Sequence, residues 1–388
     1  MSIKFKILLW VMIVSTATTI FCQKAPKLRV ATFNILELST AKLTDTDEEG
    51  VGQHAQVRAA AAIIQKVRPD ILVLNEIDHD YAFPHDLAKN ARLFRDAYLK
   101  HGEHPIEYPY VFAAPCNTGI PVGMDLDNDG VTADSRDMHT RLYGVDCYGY
   151  GEYPGQYSMA LLSKFPIDSS NVRTFQKFLW RDLPGHHMPV DFYSQEEIDV
   201  FRLSSKSHWD VPVVINGASL HLFVSHPTPP AFDGPEDRNG RRNFDEIKFW
   251  VHYIENDSAL YDDDGNEGGF AVNAPFIIAG DLNAAPDGEV VYENQTAISQ
   301  LLKHPDIRET NEFTFRQNMQ ETVPLEKRFE TAEFSGGRQM RIDYVLPSTS
   351  LTLVGGGVYW PFEESDPAGF ELAEKASDHR LVWIDIVI

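Results

Sequence analysis

Eight residues stand out as able to do chemistry together: Asn34, Glu76, His226, Asp281, Asn283, Asp343, Asp378 and His379. Each lies at or beside an apolar, β-branched run. Asn34 follows Val30-Ala31-Thr32-Phe33, and Glu76 follows Ile71-Leu72-Val73-Leu74-Asn75. His226 follows Leu222-Phe223-Val224-Ser225, and Asp281 and Asn283 follow Phe276-Ile277-Ile278-Ala279-Gly280. Asp343 lies within Arg341-Ile342-Asp343-Tyr344-Val345, while Asp378 and His379 precede Leu381-Val382-Trp383-Ile384. Any one of these has a plain alternative as a turn former or surface residue. Their repetition at successive strand ends implies one rim on which they converge. Hard ligands such as Glu76, Asp378 and Asn34 suit Mg²⁺ or Mn²⁺, not a thiolate-loving metal. His226 and His379 can donate to a phosphate or to the charge that develops on it. Asp281 can orient or deprotonate a water, and Asn283 can bind a phosphoryl oxygen.

The elements that position this rim are strands and helices in mixed order. Leu28–Phe33, Ile71–Leu74, Ser158–Leu162, Ser219–Ser225, Phe276–Ala279, Ile342–Leu346, Gly357–Tyr359 and Leu381–Ile386 read as strands. Gln56–Val67, ended by Arg68-Pro69, reads as a helix, as do Asp86–Lys100 and Arg242–Ile254. No repeat or Pro/Gly/Ser-rich linker divides the chain. Strands and helices without strict βαβ order point to sheets packed between helix layers.

The ordered set Thr32-Phe33-Asn34, Asn75-Glu76, Ser225-His226, Gly280-Asp281-Leu282-Asn283, Ile342-Asp343-Tyr344 and Ser377-Asp378-His379 resembles the endonuclease/exonuclease/phosphatase family. That family includes pancreatic-type deoxyribonucleases, abasic-site endonucleases, inositol-polyphosphate 5-phosphatases and bacterial sphingomyelinases. The resemblance runs from about residue 28 to the C-terminus. It implies an α/β, four-layer sandwich of two mixed β-sheets face to face, with helices on both outer faces. It also implies a metal-dependent phosphoric ester hydrolase. By resemblance, Glu76 is the main metal ligand, helped by Asn34 and Asp378. Asp281 positions or activates the attacking water, and Asn283 and His226 hold the phosphate. His379, oriented by Asp343, stabilises the transition state, and Gln156 supports the site. Asn75 stands where Gln is commoner, and Gln156 replaces the acid or tyrosine of the nuclease branches. Both departures leave the reaction class intact and the substrate open.

With 388 residues, 43% of them hydrophobic, the chain can bury a large core. Asp and Glu number 57 against 34 Lys and Arg, a formal charge of −23. So acidic a surface disfavours nucleic acid as a partner. A phosphate-ester substrate remains compatible, because a metal and a few local cations can set the sign inside a cleft. No protein partner is implied. Basic Lys4 and Lys6, apolar Ile7–Val14 and small polar Ser15–Thr19 are expected to form a signal peptide over residues 1–22. Cleavage near Cys22-Gln23 would send the protein to the periplasm or outside the cell. A lipoprotein anchor is the lesser alternative, since Phe21 stands where a lipobox has a small residue. No later segment is long and apolar enough to span a membrane. Residues 23–388 are expected to form one domain with an insertion loop at about 117–155.

Three features of that domain have two readings each. Cys116 and Cys147 form a disulfide in an oxidising compartment or are two buried thiols. Asp125, Asp127 and Asp129, before Gly130, resemble the first half of a calcium loop, so they hold a structural Ca²⁺ or make a solvated acidic turn. Arg238 and Arg241 bind substrate phosphate or open a helix and pair with Asp233, Glu236 and Asp237. Function also has two readings: a hydrolase, including nuclease or sphingomyelinase-like variants, or an inactive calcium-dependent binding module on the same fold. For a sphingomyelinase, Val358-Tyr359-Trp360-Pro361-Phe362 is the candidate exposed hairpin, with a core strand as the alternative.

Overall fold

The apolar runs form the expected strands, several of which extend beyond their β-branched stretch. The structure, a computed structural model, describes residues 27–314, 316–317 and 328–387, so the expected signal peptide lies outside the described residues. In chain order the first strands are β1 (Lys27–Leu38), β2 (Ile71–Ile77), β3 (Tyr110–Phe112), β4 (Met159–Ser163), β5 (Arg173–Thr174), β6 (His208–Ile215), β7 (Ala218–Ser225) and β8 (Phe276–Asp281). There follow β9 (Val291–Tyr292), β10 (Gln295–Thr296), β11 (Arg316–Gln317), β12 (Ala332–Phe334), β13 (Arg338–Met340), β14 (Asp343–Pro347), β15 (Thr352–Tyr359) and β16 (Val382–Val387).

Two mixed sheets result. One has seven strands in the order β11-β15-β16-β1-β2-β4-β3, and the other has five in the order β14-β8-β7-β6-β5. Period-two alternation stacks them. On β7, Leu222 and Val224 join a core containing Ala31 and Phe33 of β1, whereas Phe223 points the other way. Phe223 stacks on Trp250 of the Arg238–Ile254 helix, centroids 5.1 Å apart, and on Phe276 at 4.9 Å. Truncating such a buried aromatic costs about 3–5 kcal/mol. The Ala55–Val67 helix packs with the Pro367–Ala376 helix, and Ala59, Ala60, Ala61, Ala373 and Ala376 are all buried. Helices therefore flank the paired sheets, as the four-layer expectation requires. No helix among the described residues is long and apolar enough to cross a membrane.

Three of the elements that depart from the sequence reading are informative. β6 is absent from that reading, because Pro212 argues against an interior strand. Pro212 O accepts from Asp168 N at 2.9 Å, on the side away from β7, so its missing N–H costs no bond to that strand. The expected Asp86–Lys100 helix is shorter: Lys89–Phe94 is α-helical and Arg95–Leu99 continues as a π-type turn. The Pro367–Ala376 helix is absent from the reading too, although Asp366 caps it through Gly369 N at 2.9 Å and Pro367 occupies its first turn. It ends at Ser377 and so delivers Asp378 and His379.

The 117–155 insertion is held by side chains that replace backbone ladders. Asp146 accepts from Leu126 N and Ala133 N, both at 2.8 Å. Asn117 Nδ2 donates to Gln176 O at 2.7 Å and Ser204 O at 2.8 Å. The Cys116–Cys147 disulfide is not formed; both are free, buried thiols. Cys116 Sγ lies 3.0 Å from Thr118 Oγ1, while Cys147 Sγ donates to Tyr143 O at 3.2 Å. Two free thiols with different partners correct the disulfide reading in favour of its alternative.

Candidate active site

Strand register brings the predicted residues to one seam between the sheets. β1 and β2 run parallel with Asn34 beside Asn75, which places Asn34 next to Glu76. β14 pairs antiparallel to β8 with Asp343 opposite Asp281. β7 pairs parallel to β8 and ends just before His226. Gly280 permits this approach, since a Cβ there would sit 2.1 Å from Ser225 O. Side chains bond from sheet to sheet here: Asn75 Oδ1 accepts from Asp281 N at 3.2 Å and also from Thr32 Oγ1, within its own sheet, at 3.1 Å. The Asn that departs from the family's usual Gln is thus occupied in fixing Asp281.

Asp281 is the hub. Its Oδ2 accepts from Asn34 Nδ2 at 3.0 Å and faces His226 Nε2 at 3.5 Å and His379 Nε2 at 3.7 Å. Its Oδ1 accepts from Asn283 N at 2.9 Å. Asn283 Nδ2 donates to Pro227 O at 3.1 Å, which ties the Asp281–Asn283 turn to the segment after His226. His379 Nδ1 donates to Asp343 Oδ2 at 2.9 Å, and Asp343 Oδ2 also accepts from Thr331 Oγ1 at 2.7 Å. Ser377 Oγ donates to Asn34 O at 2.8 Å, anchoring the Asp378-His379 turn on β1. Glu76 accepts from Asn34 Nδ2 and from Glu37 N, each at 3.0 Å. Glu37, Glu76, Tyr157 and Asn283 all have positive φ, between 51° and 62°. Such backbone costs energy for a side-chain-bearing residue and tends to gather at functional sites.

The electrostatics reflect burial and contact. Burial works against a charge on His379, but Asp343 and then Asp281 outweigh it and hold its pKa above the ordinary range. Burial pushes the Asp281 carboxyl up, against the pull of His379. Of this pair, the proton resides on His379, because Asp343 hydrogen-bonds to that ring while Asp281 stands farther off. His226 is held neutral by burial, reinforced by Lys206 and His379.

Asp281, Asp343 and His379 offer ligand atoms within 4.8 Å of one another, a spacing that would also fit a metal ion. A protonated ring between two carboxylates accounts for that grouping better, since Nδ1 is already committed to Asp343. The cation fits on the other side of Asn34. Asn34 Oδ1 is buried and without a hydrogen-bond partner among the described residues, next to the Glu76 carboxylate. An orphan oxygen and a carboxylate are what a hard divalent cation would satisfy. Among the described residues, Asp378 joins this group through Ser377, whose Oγ lies 3.3 Å from Asp378 Oδ1.

The remaining predicted residues sit elsewhere or act differently. Gln156 Oε1 accepts from Glu152 N at 2.6 Å, so it shapes the insertion loop, while its neighbour Tyr157 reaches Glu37 Oε1 at 3.3 Å. Arg238 pairs with Glu236. Arg241 donates to Glu236 O at 3.0 Å and His187 O at 3.3 Å. No bond ties either Arg to the Asp281 cluster among the described residues, and the helix-start reading describes them. Asp125 and Asp127 do converge, but with Asp146, their ligand oxygens within 4.8 Å of one another. Asp129 instead accepts from Val131 N at 2.8 Å. Val358, Tyr359 and Trp360 are core residues, not an exposed hairpin. Sequence reasoning missed Lys206, which is buried beside Glu76, Asp281 and His226.

The chain belongs to the endonuclease/exonuclease/phosphatase family, whose model matches residues 31–379. Its fold is shared with a family protein from Leptotrichia buccalis, at 14% identity and TM-score 0.50, covering 93% of this chain and 100% of that one. A family protein from Beutenbergia cavernae matches at 17% identity and TM-score 0.49, covering 93% of this chain and 72% of that one. A comparison with curated sequences finds no match.

Proposed function

We infer that this protein is a divalent-metal-dependent phosphoesterase that hydrolyses a phosphomonoester or phosphodiester by in-line attack of water. The observation that carries this reading is the convergence of Asn34, His226, Asn283 and His379 on the single buried carboxylate of Asp281. Glu76 and Asn34, with Asp378, would hold Mg²⁺ or Mn²⁺, which when bound neutralises phosphoryl charge. Asp281 holds the attacking water and accepts its proton; burial has already raised its affinity for one. His226 and Asn283 hold the phosphoryl oxygens, His226 as a neutral donor. His379, kept charged by Asp343, faces the charge that builds in the transition state. A small phosphoester suits the acidic surface better than a nucleic acid does: Arg238 and Arg241 are occupied locally and form no track for a nucleic-acid backbone. The 1–22 segment is read as an export signal, placing the enzyme outside the cytoplasm.

A panel of chromogenic phosphomonoesters and phosphodiesters, assayed with Mg²⁺, Mn²⁺ or Ca²⁺ and then with chelator, tests the reading. Turnover should need the metal, and Asp281→Asn should lose on the order of 10²-fold or more in rate while remaining folded. Full metal-dependent activity in folded Asp281→Asn would sink it. Absence of turnover across the panel would favour the inactive binding module.

A further inference from the structure

Lys206 belongs to no motif of the family set, yet it stands in the seam. It lies two residues before β6, and β6 pairs with β7 so that His208 faces Ser225. Lys206 therefore runs alongside the segment that carries His226, Pro227 and Thr228. Its backbone is pinned from both sides. Asn117 N donates to Lys206 O at 2.9 Å. The adjoining Ser205 donates through N and Oγ to Glu246 Oε1, at 2.6 and 3.0 Å. Glu246 Oε2 in turn accepts from Thr228 N at 2.7 Å, so one buried carboxylate clamps Ser205-Lys206 to the His226–Thr228 segment.

Lys206 is only 6% exposed, and its ammonium, which is not sealed from solvent, makes no hydrogen bond or ion pair among the described residues. Glu246, the nearest candidate partner by charge, has given its oxygens to Ser205 and Thr228. An ammonium largely withdrawn from water and without a protein partner is costly, and a position that served packing alone would be better filled by an apolar side chain. The charges facing Lys206 are Glu246, Glu76 and Asp281, opposed by Arg242. Its surroundings are therefore those of the proposed reaction, and an oxyanion is the partner the ammonium lacks.

We propose that Lys206 is a further catalytic residue, its ammonium holding a non-bridging oxygen of the scissile phosphate beside His226 and Asn283. This rests on the phosphoesterase reading above. It supplies the site with a fixed protein cation within an acidic chain, and it acts on the phosphoryl group itself whichever ester is cleaved.

The test uses the folded, metal-loaded protein and three variants: Lys206→Met, Lys206→Arg and Asp281→Asn. Inorganic phosphate is titrated calorimetrically, and kcat/KM is measured on a phosphoester the wild type turns over. Lys206→Met should bind phosphate at least about tenfold more weakly and lose about 10²-fold in kcat/KM. Lys206→Arg should regain part of both, because it keeps the charge. The Mn²⁺ affinity of Lys206→Met should match the wild type. Its thermal midpoint should hold or rise, since an unpaired buried charge has gone; if it does not fold, Lys206→Gln takes its place. Wild-type phosphate binding and kcat/KM in Lys206→Met, with Asp281→Asn inactive, would overturn the role of Lys206 and leave the phosphoesterase reading standing. A wild type that binds no phosphate would overturn it as well.

Discussion

Replacing Asp343 by asparagine keeps the shape of the side chain and removes its charge, and the surrounding hydrogen bonds dictate how the new amide must sit. Thr331 Oγ1 accepts from Ile342 N and from Asp343 N, both at 3.0 Å, so its one proton goes to the side chain at 343. The amide must therefore place its oxygen where Oδ2 stands, accepting from Thr331 and, as Oδ2 does, from His379 Nδ1. Its NH₂ then takes the place of Oδ1, 3.2 Å from the same ring nitrogen, and repels the proton there. The ring loses the carboxylate that most favours its positive charge, and a neutral ring that keeps its Nδ1 proton carries none on Nε2. Removing a transition-state donor altogether costs about 10²–10³ in rate, and a charged hydrogen bond is roughly twice as strong as a neutral one. Asp343→Asn should thus lose about 10- to 10²-fold in kcat, less than His379→Ala. Because Asp343 acts through the ring, the double variant Asp343→Asn/His379→Ala should be no slower than His379→Ala alone. The assay is kcat on one phosphoester at saturating metal for all four proteins. If the two losses multiply in the double variant, Asp343 does not work through His379 and the reasoning fails.

Three other outcomes rest on the same geometry. Glu76→Gln should raise the Mg²⁺ concentration for half-maximal activity by more than the roughly tenfold that even an outer-shell change costs; an unchanged metal titration would remove Glu76 as a ligand. His208 is buried, its Nε2 donates to Glu246 O at 2.8 Å, and burial depresses its pKa from 6.5 to about 3. The unfolded chain therefore binds a proton that the fold does not, so this contribution is complete above about pH 6.5 and is lost as pH falls toward 3. At about 1.4 kcal/mol per pH unit, the total reaches on the order of 5 kcal/mol, and His208→Gln should flatten the acid side of a urea-midpoint-against-pH curve. An identical slope in both proteins would show that this ring does not set it. If Asp125, Asp127 and Asp146 share a Ca²⁺, Asp127→Ala should make the 117–155 loop protease-sensitive in a way that added calcium no longer reverses, whereas unaltered cleavage would leave the acidic-turn reading.

What the sequence discloses is governed by locality. Asn34, Glu76, His226 and Asp281 can be placed because each ends an uninterrupted apolar run, and strand ends meet along one edge of a sheet. The four-layer arrangement comes from the family resemblance and from the order of those runs. Asp146 cannot be joined to Asp125 and Asp127 by sequence, because their convergence depends on the fold of the intervening loop and leaves no periodic trace. Lys206 sits in the polar stretch Ser204-Ser205-Lys206-Ser207, which has the composition of a surface loop. Only the fold shows that stretch buried beneath the insertion and the Arg238–Ile254 helix. Pro212 hides β6, and a small-residue helix with modest amphipathicity hides the element that presents His379. The arginines near 240 stand out for charge alone, and charge does not reveal that Glu236 claims Arg238 by its carboxylate and Arg241 by its carbonyl.

β16 is the last strand among the described residues, yet it lies inside the seven-stranded sheet, between β15 and β1. Asn34 and Glu76 are synthesised early, whereas Asp378 and His379 arrive just ahead of that closing strand. A nascent chain still emerging from the ribosome holds half of a cleft whose other half has not been made. Its edge at β1 waits unpaired for a segment from the far end of the chain, with Lys27 destined to face Val387. Activity is thereby tied to completion: a chain ended at Ser377 should be inert, and any turnover by it would refute the dependence.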